Sequence, residues 1–246
     1  MPPAPLPSLA IVGPGRLGRS VAALLAERGV DTPLIGRATP WPTDVEALLL
    51  TVPDRALPEL AASLPAGRVV LHCSGAAEVD VLAPHHPRGS WHPLMSFPGP
   101  EVALPDPRGV PAAMAGDPEA LAVARALSEL LGMDPIHIPG DRRLYHASAV
   151  LAGNLATVLL AEASRALVAA GLSPEAARRA LHPLARTSLA NAVEDPARAL
   201  TGPVARGDHA TLALHREALR EAGLDDLVDL VDLLEVRGGR LLGEGR

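Results

Sequence analysis

Residues 9–20 read LAIVGPGRLGRS. Leu9 to Val12 are four consecutive apolar residues, as expected of a strand buried on both faces. Gly13-Pro14-Gly15-Arg16-Leu17-Gly18 then fits G-x-G-x-x-G. A helical pattern follows, with Leu17, Val21 and Leu24 or Leu25 on one side. In a strand–turn–helix unit of this kind each glycine has a task. Gly13 allows the tight turn. Gly15 lets backbone approach a pyrophosphate seated on the helix N-terminus. Gly18 lets helix and strand pack closely. The plain alternative is a strand–turn–helix that binds nothing.

Outward from this unit, short apolar runs alternate with helical patterns. Strands are expected at Thr32–Ile35, Glu46–Val52, Arg68–Cys73, Gly89–His92, Val110–Ala115 and Pro135–Ile138. Helices are expected at Arg19–Arg28, Leu57–Leu64 and Pro118–Leu131. That alternation predicts an α/β Rossmann-like domain with a mostly parallel sheet covered on both faces. After Pro139-Gly140 no strand is convincing. Leu144–Ala170, Pro174 to about Ala192, Asp208–Ala222 and Leu224–Leu234 read as helices. The expected division is therefore 1–139, α/β, and 140–246, all-helical. The Gly- and Arg-rich tail from Arg237 to Arg246 is expected to fray.

Composition narrows the function. The chain has 246 residues, 48% of them hydrophobic, and a formal net charge of −6. No basic run tracks a phosphate backbone, and two Trp, one Tyr and one Phe give little to stack on bases, so nucleic acid is not an expected partner. All 22 basic residues are Arg. Without Lys there is no Schiff-base former and no P-loop ATPase. One Cys, Cys73, forms no internal disulfide and fits a reducing compartment. MPPAPLPSLA lacks the pattern of a signal peptide, and apolar stretches such as Ala147 to Ala161 fall short of the roughly 20 residues of a membrane span. The expectation is a cytoplasmic protein without a membrane partner.

The second strand bears on the nucleotide. A site for NAD usually carries an acid at the tip of that strand, on the ribose hydroxyls. Here the tip is Leu34-Ile35-Gly36-Arg37-Ala38, with no acid. Arg37 can pair with a 2′-phosphate, and Arg16 can assist. This favours NADP over NAD. Thr51, Val52 and Pro53, at the end of the third strand, are expected to line the nicotinamide side of the crevice. Ser74 and the Gly75 amide, at the end of the fourth, can hold a carbonyl or carboxylate. Asp54 reads as a helix cap.

Further candidates lie downstream. His92, within Trp91–Phe97, is either a capped buried histidine or part of a substrate cleft. His72, Cys73, His85, His86 and His92 match no standard zinc spacing, so no metal is expected. At 100° per residue His146 and Asn154 fall within about 80° of each other on an otherwise small, apolar helix. Such a pair is costly there unless it is hydrogen-bonded or faces a ligand. Thr201 and Arg206, in the linker 199–208, can meet an anion if that linker folds over a cleft.

Taken together, Gly13–Gly18, His72–Ala76, His92–Phe97, His146–Asn154 and Leu200–Asp208 resemble a bacterial family that joins a Rossmann-like NADP-binding domain to a helical C-terminal domain of unknown function. More distantly the chain resembles pyrroline-5-carboxylate reductase, ketopantoate reductase and the 3-hydroxyacid dehydrogenases. That resemblance implies a homodimer formed through the helical domain. The dinucleotide motif joined to a polar helix face points to an NADP-dependent oxidoreductase acting on a small anionic carbonyl or imine, with His146 as proton donor or acceptor, Asn154 orienting substrate, and Ser74, Gly75, His92, Thr201 and Arg206 as candidates to hold it. The dehydrogenases place a Lys a few residues before an Asn on the first long helix. Here Asn154 fits, His146 stands upstream, and Lys is absent. His146 can move a proton near neutral pH. The missing Lys keeps open a non-catalytic NADP(H) sensor, or a structural protein.

Overall fold

The computed structural model describes residues 5–37, 39–99 and 102–243. The chain divides into two compact units, Met1–Gly153 and Asn154–Arg246. The first is an α/β unit around a seven-stranded sheet in the order β2-β1-β3-β4-β5-β6-β7. Its strands are β1 (Leu9–Val12), β2 (Leu34–Ile35), β3 (Ala47–Leu50), β4 (Val69–His72), β5 (Arg88–Pro93), β6 (Pro111–Gly116) and β7 (Asp134–Ile136). Every pairing is parallel except β5 with β6. The sheet runs from β1 outward to β2 on one side and to β3 on the other. The carboxyl ends of β1 and β3 therefore flank the point where the strand order reverses, where such sheets open a crevice.

Side chains alternate between two cores. Leu9, Ile11, Ala47, Leu49, Leu71 and Trp91 point to one face, with α1 (Arg16–Ala26) and α3 (Pro118–Leu131). Ala10, Val12, Leu48, Leu50 and Val70 point to the other, with α2 (Leu57–Ser63) and Leu82. This explains why the strands read as continuous apolar runs. Trp91 is fully buried, and its indole N–H donates to Ser128 Oγ at 2.9 Å. Trp91→Phe forfeits that bond and leaves a void. We expect a loss of about 2 kcal/mol in urea unfolding; an unchanged midpoint would show that the indole contributes nothing beyond an aromatic ring.

The second unit is helical: α5 (Ala156–Ala169), α6 (Pro174–Glu194), α7 (Pro196–Ala199), α8 (Gly202–Arg206), α9 (His209–Glu221) and α10 (Asp225–Leu241). The first unit ends on α4 (Arg142–Val150), and a π turn (Leu151–Leu155) leads from it into α5. The first unit thus runs to Gly153, where the sequence alone pointed to Gly140. Helix α4 is tied into that unit, since buried Arg142 donates to the Ser74 carbonyl at 3.0 Å.

Four expectations change. The linker 199–208 holds a short helix, α8, because Thr201-Gly202-Pro203 starts a turn with proline in its first positions. The tail does not fray at Arg237: α10 continues to Leu241, and 244–246 lie outside the described residues. The apolar stretch does not stop at Ala161. Arg142–Ala169 forms 28 helical residues with a window of mean hydropathy 1.5, long and apolar enough to cross a membrane by length and composition. Finally, a π turn holds an extra residue, so the 100° spacing that put His146 and Asn154 on one face does not carry across Leu151–Leu155.

Candidate functional site

The glycine turn lies at the carboxyl end of β1. Gly13 has φ +113°, open to glycine and strained for other residues. A Cβ on Gly18 would sit 2.1 Å from the Gly13 carbonyl oxygen, so the absence of a side chain is what lets α1 lie on the turn. Thr51 locks the arrangement from β3: its hydroxyl contacts the carbonyls of Val12 at 3.1 Å and Gly13 at 2.8 Å. Val52 closes on the same turn, its Cγ1 3.0 Å from where a Gly13 Cβ would be. Over Gly15 there is open space. It is the N-cap of α1 and supplies no side-chain cap, so the first amides of that helix have no capping side chain there. Pro14, Gly15 and Arg16 are exposed at this opening, Leu17 is packed below it, and Pro53 is exposed beside it. The cradle fits a dinucleotide pyrophosphate. Arg37 is exposed just past β2; Ala38, also at that tip, lies outside the described residues.

A second cluster forms at the carboxyl ends of β4 and β5. Ser74 is buried and fully engaged. Its hydroxyl donates to Asp54 Oδ2 at 2.6 Å and accepts from the amides of Ala77 at 2.9 Å and Ala76 at 3.2 Å. Its amide donates to His72 Nδ1 at 3.1 Å, which puts the proton of neutral His72 on Nε2. Gly75 is pressed between two imidazoles. A Cβ there would lie 2.6 Å from His146 Cδ2 and 2.8 Å from His92 Nε2. His92 Nδ1 is hydrogen-bonded to the Tyr145 hydroxyl at 2.7 Å. The His92 ring stands edge-on to those of Tyr145, at 5.5 Å, and His146, at 6.0 Å.

Burial dominates the electrostatics of this cluster, with Arg142 and Asp54 acting in opposite directions. Burial, then the Arg142 guanidinium, holds the His72 imidazole neutral down to about 4. Burial, then His146 and Arg142, does the same for His92. Burial also pushes the Tyr145 phenol up. Arg142 has its Nε buried without a partner. A positive charge so placed opposes protonation of both imidazoles.

The structure therefore brings Ser74, Gly75, His92 and His146 together. Asn154, Thr201 and Arg206 belong to the second unit, where Thr201 is the N-cap of α8 and Arg206 its last residue. His85 and His86 are engaged elsewhere, with the Ala61 carbonyl at 2.7 Å and with Asp117 at 3.0 Å. Sequence reasoning missed Arg142 and Tyr145. Both sit just after Asp141, which caps α4 by accepting from the Arg143 amide. The usable signal was that cap, since it fixes which residues start the helix nearest the β4 turn.

Residues 23–98 match a Rossmann-like domain, and residues 110–231 match DUF2520, a domain of unknown function. The chain is thus a Rossmann-like protein of the NAD(P)-binding class. The two matches lie in the order of a Rossmann-like domain followed by DUF2520. No protein of curated function matches it. Among solved structures it is similar to BF3122 from Bacteroides fragilis, described as a candidate NADP oxidoreductase (19% identity, 95% of this chain and 98% of that one, TM-score 0.79). It is also similar to protein TM1727 from Thermotoga maritima (25% identity, 96% and 98%, TM-score 0.68). A third is the reductive aminase of Aspergillus terreus, solved with NADPH and ethyl-5-oxohexanoate (18% identity, 98% and 95%, TM-score 0.67). These likenesses concern the fold.

Proposed function

We propose that this protein is an NADP-dependent reductase of a small, anionic carbonyl or imine compound. The observation that carries the reading is the acid–base cluster of His92, Tyr145 and His146 on the same sheet edge as the glycine cradle. A protein that only senses the nucleotide has no use for two imidazoles on a glycine with a phenol hydrogen-bonded to one of them. The two oxidoreductases among the similar folds support the same reading. When bound, the nicotinamide supplies hydride. Gly13 to Gly18 hold the pyrophosphate, Thr51, Val52 and Pro53 line the approach to the ring, and Arg37 with Arg16 selects the 2′-phosphate. His146 belongs to the acid–base group, while Asn154, Thr201 and Arg206 belong to the helical unit. Ser74 shapes the floor rather than binding substrate, because its hydroxyl proton is committed to Asp54. Fluorescence titration should show NADPH binding at least about tenfold tighter than NADH, a preference that Arg37→Ala removes. Turnover should appear across a panel of keto and imino acids. Tight NADPH binding with no hydride transfer to any of them would support the sensor instead.

We also propose that two copies pair through the helical unit. Among its described residues only Ala177, Leu212, Leu227 and Val228 are buried hydrophobics, whereas Val158, Leu184, Leu189 and Val193 are at least half exposed. An apolar groove of about 800 Å³ runs beside α5, lined by Leu160, Val168 and Leu224 among others. A second copy fits these faces better than a bilayer does. Arg165, on α5, is paired with Glu162 and with Asp226 of α10, an ionic group costly at membrane depth. Light scattering should give twice the chain mass; a monomer at micromolar concentration would refute the pairing.

A further inference from the structure

Two imidazoles meet at Gly75, a phenol joins one of them from behind, and the connections differ. Only Tyr145 and His92 are hydrogen-bonded to each other, at 2.7 Å through Nδ1. The far side of His92, Nε2, faces Gly75, and the His146 ring stands edge-on to His92 against the same glycine. The rings form a line: a phenol, an imidazole with one nitrogen on the phenol and one turned away, and a second, partly exposed imidazole. The hydrogen-bonded phenol and imidazole can pass a proton without a stable charge on the imidazole.

We propose that the Tyr145 hydroxyl, not the His146 ring, hands the proton to the substrate, and that His92 reloads it from Nδ1. This assignment rests on the reductase reading above and names its proton donor. As the carbonyl oxygen or imine nitrogen of the substrate gains negative charge, the Tyr145 O–H bond breaks. A new O–H or N–H bond forms on the substrate. The phenolate takes the Nδ1 proton of His92, and His92 Nε2 takes one from water. The electron pair comes with the hydride of the cofactor, so the chain supplies only the proton and is restored at the end. His92 ends as the other neutral tautomer, which returns by proton exchange.

The surroundings favour a neutral relay over an imidazolium. The groups that act on His92 are Arg142 and His146, from α4, and Asp54, beyond β3. Burial comes first, and Arg142 opposes a proton on His92 while Asp54 favours one. Arg142 also steadies the floor through the Ser74 carbonyl. A neutral imidazole that gives at one nitrogen and takes at the other meets this field without opposing it.

Tyr145 is the only tyrosine of the chain, so tyrosinate absorbance follows this one hydroxyl without cofactor or substrate. Three results are expected. Tyr145→Phe, which keeps the ring, lowers kcat at least about 100-fold and leaves NADPH affinity within about twofold. His92→Ala moves the ultraviolet titration of Tyr145 by about half a unit or more. Added imidazole restores turnover to His92→Ala but not to Tyr145→Phe. Wild-type turnover that survives Tyr145→Phe overturns the relay and leaves the reductase reading standing. An unmoved tyrosine titration in His92→Ala also overturns it. No wild-type turnover on any substrate overturns both.

Discussion

Gly18→Ala should weaken dinucleotide binding by up to about 100-fold. The added methyl would stand 2.1 Å from the Gly13 carbonyl oxygen and 2.6 Å from Thr51 Oγ1. Neither neighbour can give way cheaply. The first is backbone in a turn already at φ +113°, and the second is a hydroxyl pinned to two carbonyls. The helix must lift from the turn, and its amides then miss the pyrophosphate. Overpacking of this kind costs about 1–3 kcal/mol, and the upper part of that range is about 100-fold in affinity. Fluorescence titration with NADPH reads the loss directly. Gly15→Ala is the control. Nothing lies within 4 Å of its Cβ, so the variant should fold like the wild type and weaken binding only where ligand approaches the backbone. A Gly18→Ala protein that binds within about threefold of wild type would show that the turn adapts, and that the close packing of α1 is not what builds the cradle.

The second large effect is on stability at mildly acid pH. His72 and His92 each take a proton only at about 4 in the fold, against 6.5 in an unperturbed chain. Between those values the unfolded chain holds more protons, so stability falls as pH falls. The stabilisation is complete above about pH 6.5, and the loss is complete below about 4. Each histidine should contribute a loss of roughly 3 kcal/mol across that window. Asp106 and Asp141, held near 2 by Arg108 and Arg143, titrate below it. Urea midpoints at pH 7 and pH 4.5 measure the slope. His72→Asn keeps an acceptor for the Ser74 amide and removes the titration, so it should flatten the slope by about half. An identical slope would place the acid sensitivity elsewhere in the chain.

Much of the first unit was legible in the sequence. Leu9–Val12 and Pro118–Leu131 stand where the apolar pattern placed them. Strands buried on two faces announce themselves as unbroken apolar runs, and most glycines of the turn declare their work by spacing. The convergence at Gly75 was half legible. The sequence marks the ends of β4 and β5, but not that His92 selects Tyr145 rather than His146 as its partner. That choice depends on which residues of α4 face the sheet, and therefore on Asp141 capping one turn before them. The π turn was illegible for a different reason. Leu151–Leu155 has an ordinary helical composition, and a wide turn is chosen by what packs around it.

Ser74 joins four places at once: the segment after β3 through Asp54, the turn at Ala76 and Ala77, the ring of His72, and α4 through Arg142. A floor fastened on all sides does not remould itself around a guest. The entropy of ordering it was spent at folding, before any ligand arrived. Such a surface discriminates by shape, as a template does. On the reductase reading, breadth or narrowness of substrate choice then falls to whatever covers the floor.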